Sequence, residues 1–201
     1  MTTLARVARP VWTGVRMLAV LTVILGLAYP LFVTGVGQLF FPGQANGSVV
    51  YNGAGVPVGS ALIGQPFTDA AGNPLRQYFQ PRPSVAGDGY DPRSSSGSNL
   101  GPENAELIAE IEARRAAVAY FNGVAESEVP PDAVTASGSG LDPQISPEYA
   151  AIQVARVAAA RGLAVDEVRA LVARYTVPPA LGYIGAPGVN VLELNLALDE
   201  L

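Results

Sequence analysis

The chain has 201 residues, with 17 acidic side chains against 12 basic ones and neither cysteine nor histidine. That balance argues against a nucleic-acid partner. Without Cys and His there are no disulfides, no Cys/His zinc site and no Ser-His-Asp or Cys-His nucleophilic centre. Every basic residue is arginine, so no lysine is available as a general base, and the G-x-x-x-x-G-K-[ST] phosphate loop is absent. Carboxylates are the main catalytic residue type left, and none forms an evident acid/base pair.

The first element is the strongest. Met17 to Phe41 runs for twenty-five residues without a charge, after Arg6, Arg9 and Arg16, and the next charge is Asp69. A helix of that length reaches roughly 37 Å, enough to cross a bilayer core of about 30 Å with some tilt. A cleaved signal peptide is the rival reading, but its apolar region is usually shorter, and Phe40-Phe41-Pro42 closes this one with bulk. The sequence is therefore divided into an N-terminal segment 1–16, a transmembrane helix 17–41, a linker 42–57 and a domain 58–201. The arginines before the span place the N-terminus in the cytoplasm and the domain outside, by the positive-inside rule. In a bacterium this is a single-pass protein of the cell (inner) membrane. Within the span, Pro30 removes a backbone hydrogen bond and predicts a kink. Gly26 is small and Gln38 polar, and lipid offers Gln38 no partner, so Gly26, Pro30 and Gln38 are expected to face another membrane subunit.

Beyond the span the chain carries nine arginines against all seventeen acids, a net charge of −8. Val58 to Phe67 predicts a strand, and Tyr78-Phe79 the start of another. Residues 81–102 form a loop rich in Pro, Gly, Ser and Asp. Asn104 to Phe121 predicts a helix ended by Gly123, followed by a second loop, 127–145. Ser146-Pro147-Glu148 is a helix start, with Ser as N-cap and Pro at the first position, and Gly162 stops that helix. Asp166 to Arg174 predicts a further helix. Val189 to Leu196 alternates apolar and polar and predicts a half-buried strand. Strands and helices mix without regular alternation, so the fold class is α+β: one N-terminal transmembrane helix and one mixed extracytoplasmic domain.

These stretches also carry a family resemblance. The runs are Phe41-Pro42 with Gln44 to Ser48, Gly59 to Gln65, Tyr78 to Ser84, Ser95 to Pro102, Thr135 to Pro147, Gln153 to Gly162 and Gly188 to Asn195. In this order they resemble the KdpC subunits of bacterial potassium-transporting P-type ATPases. The resemblance implies a non-catalytic accessory subunit of an ATP-driven potassium importer, needed for assembly and turnover. Its implied partners are a channel-like potassium-translocating subunit, a P-type catalytic subunit that hydrolyses ATP, and a small membrane peptide. The aspartyl-phosphate signature D-K-T-G is absent here, in keeping with hydrolysis by a partner. Potassium is the transported ion, and no cofactor or metal is expected on this chain.

One proposal for the family is that the subunit raises ATP affinity, with a glutamine matching Gln153 on nucleotide. Gln153 shares a helical stripe with Tyr149, Arg156 and Ala160, so Gln153 and Arg156 are the nucleotide candidates. An exterior domain meets almost no ATP, and the competing reading of Gln153 is a polar helix edge or a cap for a neighbouring loop. The two Ser/Gly loops carry Asn, Asp and Pro at turn-forming points. Ser96, Ser98, Asn99, Ser139 and Asp142 are thus expected in ordered contact loops meeting the channel-like subunit. The alternative is a free-standing anchored envelope binding module that needs no partner.

Overall fold

The computed structural model describes residues 3–201, with side chains from Ala8 onward. Met1, Thr2 and the side chain of Arg6 lie outside the described residues. The chain divides into two units, Met1–Ser48 and Val49–Leu201.

The first unit is a long apolar helix in two parts. Helix α1 spans Thr3–Val23 and α2 spans Tyr29–Phe40, joined without a break by a π turn, Ile24–Ala28. The stretch Ala8–Phe40 is long and apolar enough to cross a membrane. Pro30 accounts for the π turn. In a regular helix its ring would press on the carbonyl of residue 26; here the Tyr29 amide donates instead to the Ile24 carbonyl, widening the turn just before the proline. The expected distortion therefore takes the form of a bulge. After Phe41, a short helix α3 (Pro42–Ala45) folds back. Asn46 Nδ2 donates to Gln38 Oε1 (3.1 Å) and to the Pro42 carbonyl (2.7 Å), and Gln38 Nε2 donates to Asn46 Oδ1 (3.3 Å). Gln38, expected to need a partner helix, has an amide partner within its own unit.

The second unit begins inside the stretch expected to be linker. Strand β1 (Val49–Tyr51) pairs antiparallel with β2 (Pro57–Ser60). The expected strand 58–67 thus ends at Ser60, where the chain turns under the Ser60 hydroxyl and carbonyl, acceptors for Leu62 N and Ile63 N. Helix α4 (Ala105–Asn122) is capped by Asn104, whose side chain accepts from Glu106 N and Leu107 N, and ends at Gly123 with φ +70°, a left-handed stop that glycine supplies without strain. Helix α5 (Pro147–Arg161) starts on Ser146 Oγ and stops at Gly162, as its sequence predicts. Helix α6 (Val165–Arg174) packs on α5 through Val168 and Val172.

A small antiparallel sheet completes the unit. Strands β3 (Gln144–Ile145) and β4 (Thr176–Val177) flank β5 (Gly188–Asn190). The expected strand 189–196 is corrected here: β5 ends at Asn190, and residues 191–199 form helix α7 (Val191–Asp199). The run V-N-V-L-E-L-N-L, continued by Ala197 and Leu198, also places Val191, Leu194 and Leu198 at helical spacing, and all three are buried. Asn190 decides between the two periods by accepting from Glu193 N at the helix start. The expected strand at Tyr78-Phe79 is also absent. That segment is irregular, yet Phe79 is fully buried in the core beside Tyr149, Val157 and Leu194.

Asn195 is 1 % exposed and clasps Phe79: the Phe79 amide donates to Asn195 Oδ1 (2.8 Å) and Asn195 Nδ2 donates to the Phe79 carbonyl (3.0 Å). Asn195→Leu leaves both backbone groups buried without partners. It is expected to lower the unfolding free energy by about 2–4 kcal/mol, read by denaturant unfolding of the full chain; a loss under about 1 kcal/mol would show that Phe79 finds other partners.

Candidate functional site: two apposed loops and a polar row on α5

Five consecutive carbonyls, from residue 76 to residue 80, accept hydrogen bonds from side chains. Arg156 Nη1 donates to the carbonyls of Arg76 and, at 3.0 Å, Tyr78. Arg161 Nε donates to Gln77 O (2.7 Å). Asn195 holds Phe79, and Gln153 Nε2 donates to Gln80 O (3.1 Å) while its Oε1 accepts from Gln80 N (2.7 Å). An irregular segment in a core has no sheet to satisfy its backbone, so side chains must do it.

Gln153 and Arg156 are thus drawn together, but facing inward. Gln153 is 0 % exposed and Arg156 4 %. Arg156 Nη2 donates to Gln153 Oε1 (2.7 Å), its Nε donates to Asn122 Oδ1 (2.8 Å), and its guanidinium lies over the Phe121 ring at 4.5 Å. Burial lowers the Arg156 pKa to about 10, the nearby Arg76 adding to the shift and Tyr149 opposing it. The group stays charged at neutral pH, with carbonyl and amide oxygens as its hydrogen-bond partners. At the end of α5, Arg161 also donates to Leu198 O (2.9 Å) and pairs with Asp199 (2.6 Å).

The two Ser/Gly loops form the second constellation. They lie against each other. Ser96 N and Ser95 Oγ both donate to Ser139 O (3.0 and 2.9 Å), and Ser84 Oγ donates to Gly140 O (2.6 Å). Glycine permits this approach. A Cβ on Gly140, which sits at φ +68°, would lie 2.7 Å from Ser96 O, and one on Gly97 3.0 Å from Gly138 O. Asp142 ties the base of the pair: Oδ2 meets Arg82 Nη1 at 2.9 Å and Oδ1 accepts from Gln144 N (3.0 Å). Arg82 Nη2 reaches Thr135 O (3.3 Å), and Gly64 N donates to Leu141 O (2.9 Å), docking the 59–65 run on the same base. Burial pushes the Tyr90 phenol well above its usual range, with Tyr149 and Asp142 adding to the shift, so Tyr90 remains a neutral donor to the Arg82 carbonyl.

Among the sequence candidates, Ser96, Ser139 and Asp142 therefore meet in one structure, with Ser96 and Ser139 exposed on its rim. Ser98 and Asn99 are exposed on the same loop; Asn99 has φ +55° and its Nδ2 donates to Gly97 O (3.1 Å). Gly26 and Pro30 lie on the apolar helix, where a Cβ on Gly26 would meet only Thr22 at 3.8 Å. Among the described residues, no group of three or more acidic side chains gathers that could hold a metal ion. A groove of about 490 Å³ runs from Arg82 and Asp142 past Asp132 and Ser146 to Pro187. In it both Asp132 carboxylate oxygens are occupied by Ser146, accepting from N at 2.7 Å and from Oγ at 2.8 Å.

The family profile described as KdpC, K+-transporting ATPase c chain, matches residues 11–200. Three proteins, each named potassium-transporting ATPase KdpC subunit, align with nearly all of this chain. That of Kineococcus radiotolerans is 59 % identical, over 98 % of this chain and 95 % of its own. That of Beijerinckia indica is 54 % identical, over 90 % and 89 %, and that of Mycobacterium tuberculosis 52 %, over 96 % and 99 %. The chain belongs to the KdpC family. It is a subunit of a K+-transporting P-type ATPase, anchored in the membrane by one N-terminal apolar helix.

Six of the seven runs that carried the KdpC resemblance are the parts of these two constellations, and the seventh, Phe41 to Ser48, lies in the first unit. Tyr78–Ser84, Gln153–Gly162 and Gly188–Asn195 meet at the carbonyl row; Ser95–Pro102, Thr135–Pro147 and Gly59–Gln65 meet at the loop pair. Asn195, Arg82 and Asn122 escaped the sequence reading as members. Asn195 did leave a signal, a lone amide among leucines in V-L-E-L-N-L-A-L, which inside a core requires a partner.

Gly140→Ala forces a Cβ into Ser96 O and strains a left-handed backbone. It is expected to part the loops, so that limited proteolysis cuts within 84–100 at least about fivefold faster than in the unaltered chain. Equal cleavage rates would show that the loops do not depend on this contact.

Proposed function

We propose that this subunit is a rigid, non-catalytic docking piece of the potassium-transporting complex. In this reading its N-terminus lies in the cytoplasm and its domain outside the membrane, and the paired loops rest on the outer face of a channel-like potassium-translocating subunit. The observation that carries the reading is the loop pair itself. Two Gly/Ser segments, which alone would be flexible, are pinned by the Ser96 amide on Ser139 O and the Ser84 hydroxyl on Gly140 O and clamped at the base by Arg82 and Asp142. That leaves Ser96, Ser98, Asn99 and Ser139 on a fixed polar rim, and contact loops with fixed shape lose little freedom on binding. Gly26 and Pro30 supply the membrane part of the same contact, where a small residue lets backbones approach.

ATP stays with the P-type catalytic subunit in this reading, and Gln153 and Arg156 act as internal fasteners. Their burial and their hydrogen bonds to the backbone of Tyr78 and Gln80 support that role over a nucleotide contact. Any influence on the ATP affinity of the complex then travels through assembly.

Two measurements test this. Ser96→Cys, the only cysteine in the chain, is expected to react with a membrane-impermeant maleimide in intact cells; protection that lasts until the cells are opened, in purified free subunit that labels readily, would put the domain on the other side. Gln153→Ala is expected to lower the yield of assembled complex while leaving the KM for ATP of the assembled fraction within about twofold of normal. A several-fold rise in KM at unchanged yield would overturn the fastener role.

A further inference from the structure

The chain between β4 and β5 is the most apolar exposed feature of the second unit. From Tyr175 to Leu192, eighteen residues carry no charge, in a part of the chain whose net charge is −8. Its tip is a tight turn. Ala180 N donates to Ile184 O and Ile184 N to Ala180 O, both at 2.9 Å, and Gly182 N donates to Pro179 O at 2.9 Å. Pro178 and Pro179 stiffen the approach and Pro187 the return. On this closed turn Leu181 is 82 % exposed, Tyr183 76 % and Ile184 52 %.

Leu181 is the telling residue. Its φ is +55°, a left-handed conformation that leucine adopts at a cost and that glycine or asparagine adopts readily. The flanking Gly182 and Gly185, at φ +84° and +86°, show where the turn uses glycine for the same geometry. Leu181 accepts the strain while burying almost nothing against its own domain. Strain held at an exposed apolar side chain, where Asn would adopt the turn more readily, is a mark of a binding element.

We infer that the tip Leu181–Ile184 is a plug for an uncharged, apolar pocket on the channel-like subunit of the same ATPase. This rests on the assembly role proposed above. A second copy would bring together two domains each of net charge −8, and an anionic lipid surface would find only Arg174 beside the segment. The fixed backbone also decides against lipid. Acyl chains accept any apolar shape, whereas a pre-set turn raises affinity only for a shaped pocket. Interface centres lose charge and gain aromatic residues, as Tyr183 does here.

Leu181→Asn is expected to have two effects of opposite sign. In the full chain, the thermal midpoint is expected to stay equal or rise, because strain is relieved and little buried surface is lost. Co-expressed with the other subunits, the variant is expected to co-purify with the channel-like subunit at least about tenfold less. A photoreactive benzophenone amino acid at position 183 in the assembled complex is expected to crosslink to the channel-like subunit. A lipid adduct, a dimer of this chain, or co-purification of Leu181→Asn at the normal level would overturn the inference, as would a lowered midpoint, which would make Leu181 part of the domain's own packing. If the unaltered chain fails to co-purify with the channel-like subunit at all, the underlying assembly reading fails instead.

Discussion

The second unit of this chain depends on how one stretch of irregular backbone is kept in its core. Residues 76–80 belong to no sheet, yet Phe79 is at the centre. A buried peptide group without a partner costs about 1–3 kcal/mol; Phe79 is fully buried, and Gln77, Tyr78 and Gln80 beside it are half-buried. Helices α5 and α7 remove that cost with two amides and two guanidinia, from Gln153, Asn195, Arg156 and Arg161. Both guanidinia are themselves held: Arg156 by Asn122 and the Phe121 face, Arg161 by Asp199 and the Tyr78 ring. The polar row of α5 therefore fixes the distance between three helices and the central segment at once.

That fastening bears on function through the segment's next residues. Gln80, held by Gln153, leads within two positions to Arg82, which binds Asp142 and Thr135 and so sets the base of the loop pair. The helices and the exposed loops are connected by two residues of chain, one of them proline. A domain built this way transmits a fixed geometry from core to rim, which suits an assembly piece better than a module that closes around a small ligand.

Some of this was legible in the sequence and some was not, for physical reasons. Helix α4 announced its end through Gly123, and α5 both its ends through Ser146 and Gly162, whose effects are local; the cap by Asn104 emerged only in the structure. The stripe Tyr149, Gln153, Arg156 was also legible as one helix face; its three members are buried, while Ala160 on the same stripe is exposed. What the face meets was not legible, because residues 76–80 lie more than seventy positions away. The segment 189–196 satisfied two periods at once, and only the pairing of β5 and the cap by Asn190 chose between them. Sequence alone marked both Ser/Gly loops but treated them separately; that they form one object follows from the close approach of Gly97 to Gly138 and of Gly140 to Ser96, which no local pattern records.

The most direct measurement of the central claim is amide hydrogen exchange at Phe79 and Gln80 in the full chain. If side chains hold this segment as a sheet would, both amides exchange as slowly as those in the middle of α5, around Val154 and Val157, through opening of the whole unit. Exchange at the rate of the exposed turn at residues 53–55 would contradict the account, because the fasteners would then be too weak to carry the core geometry out to the loops.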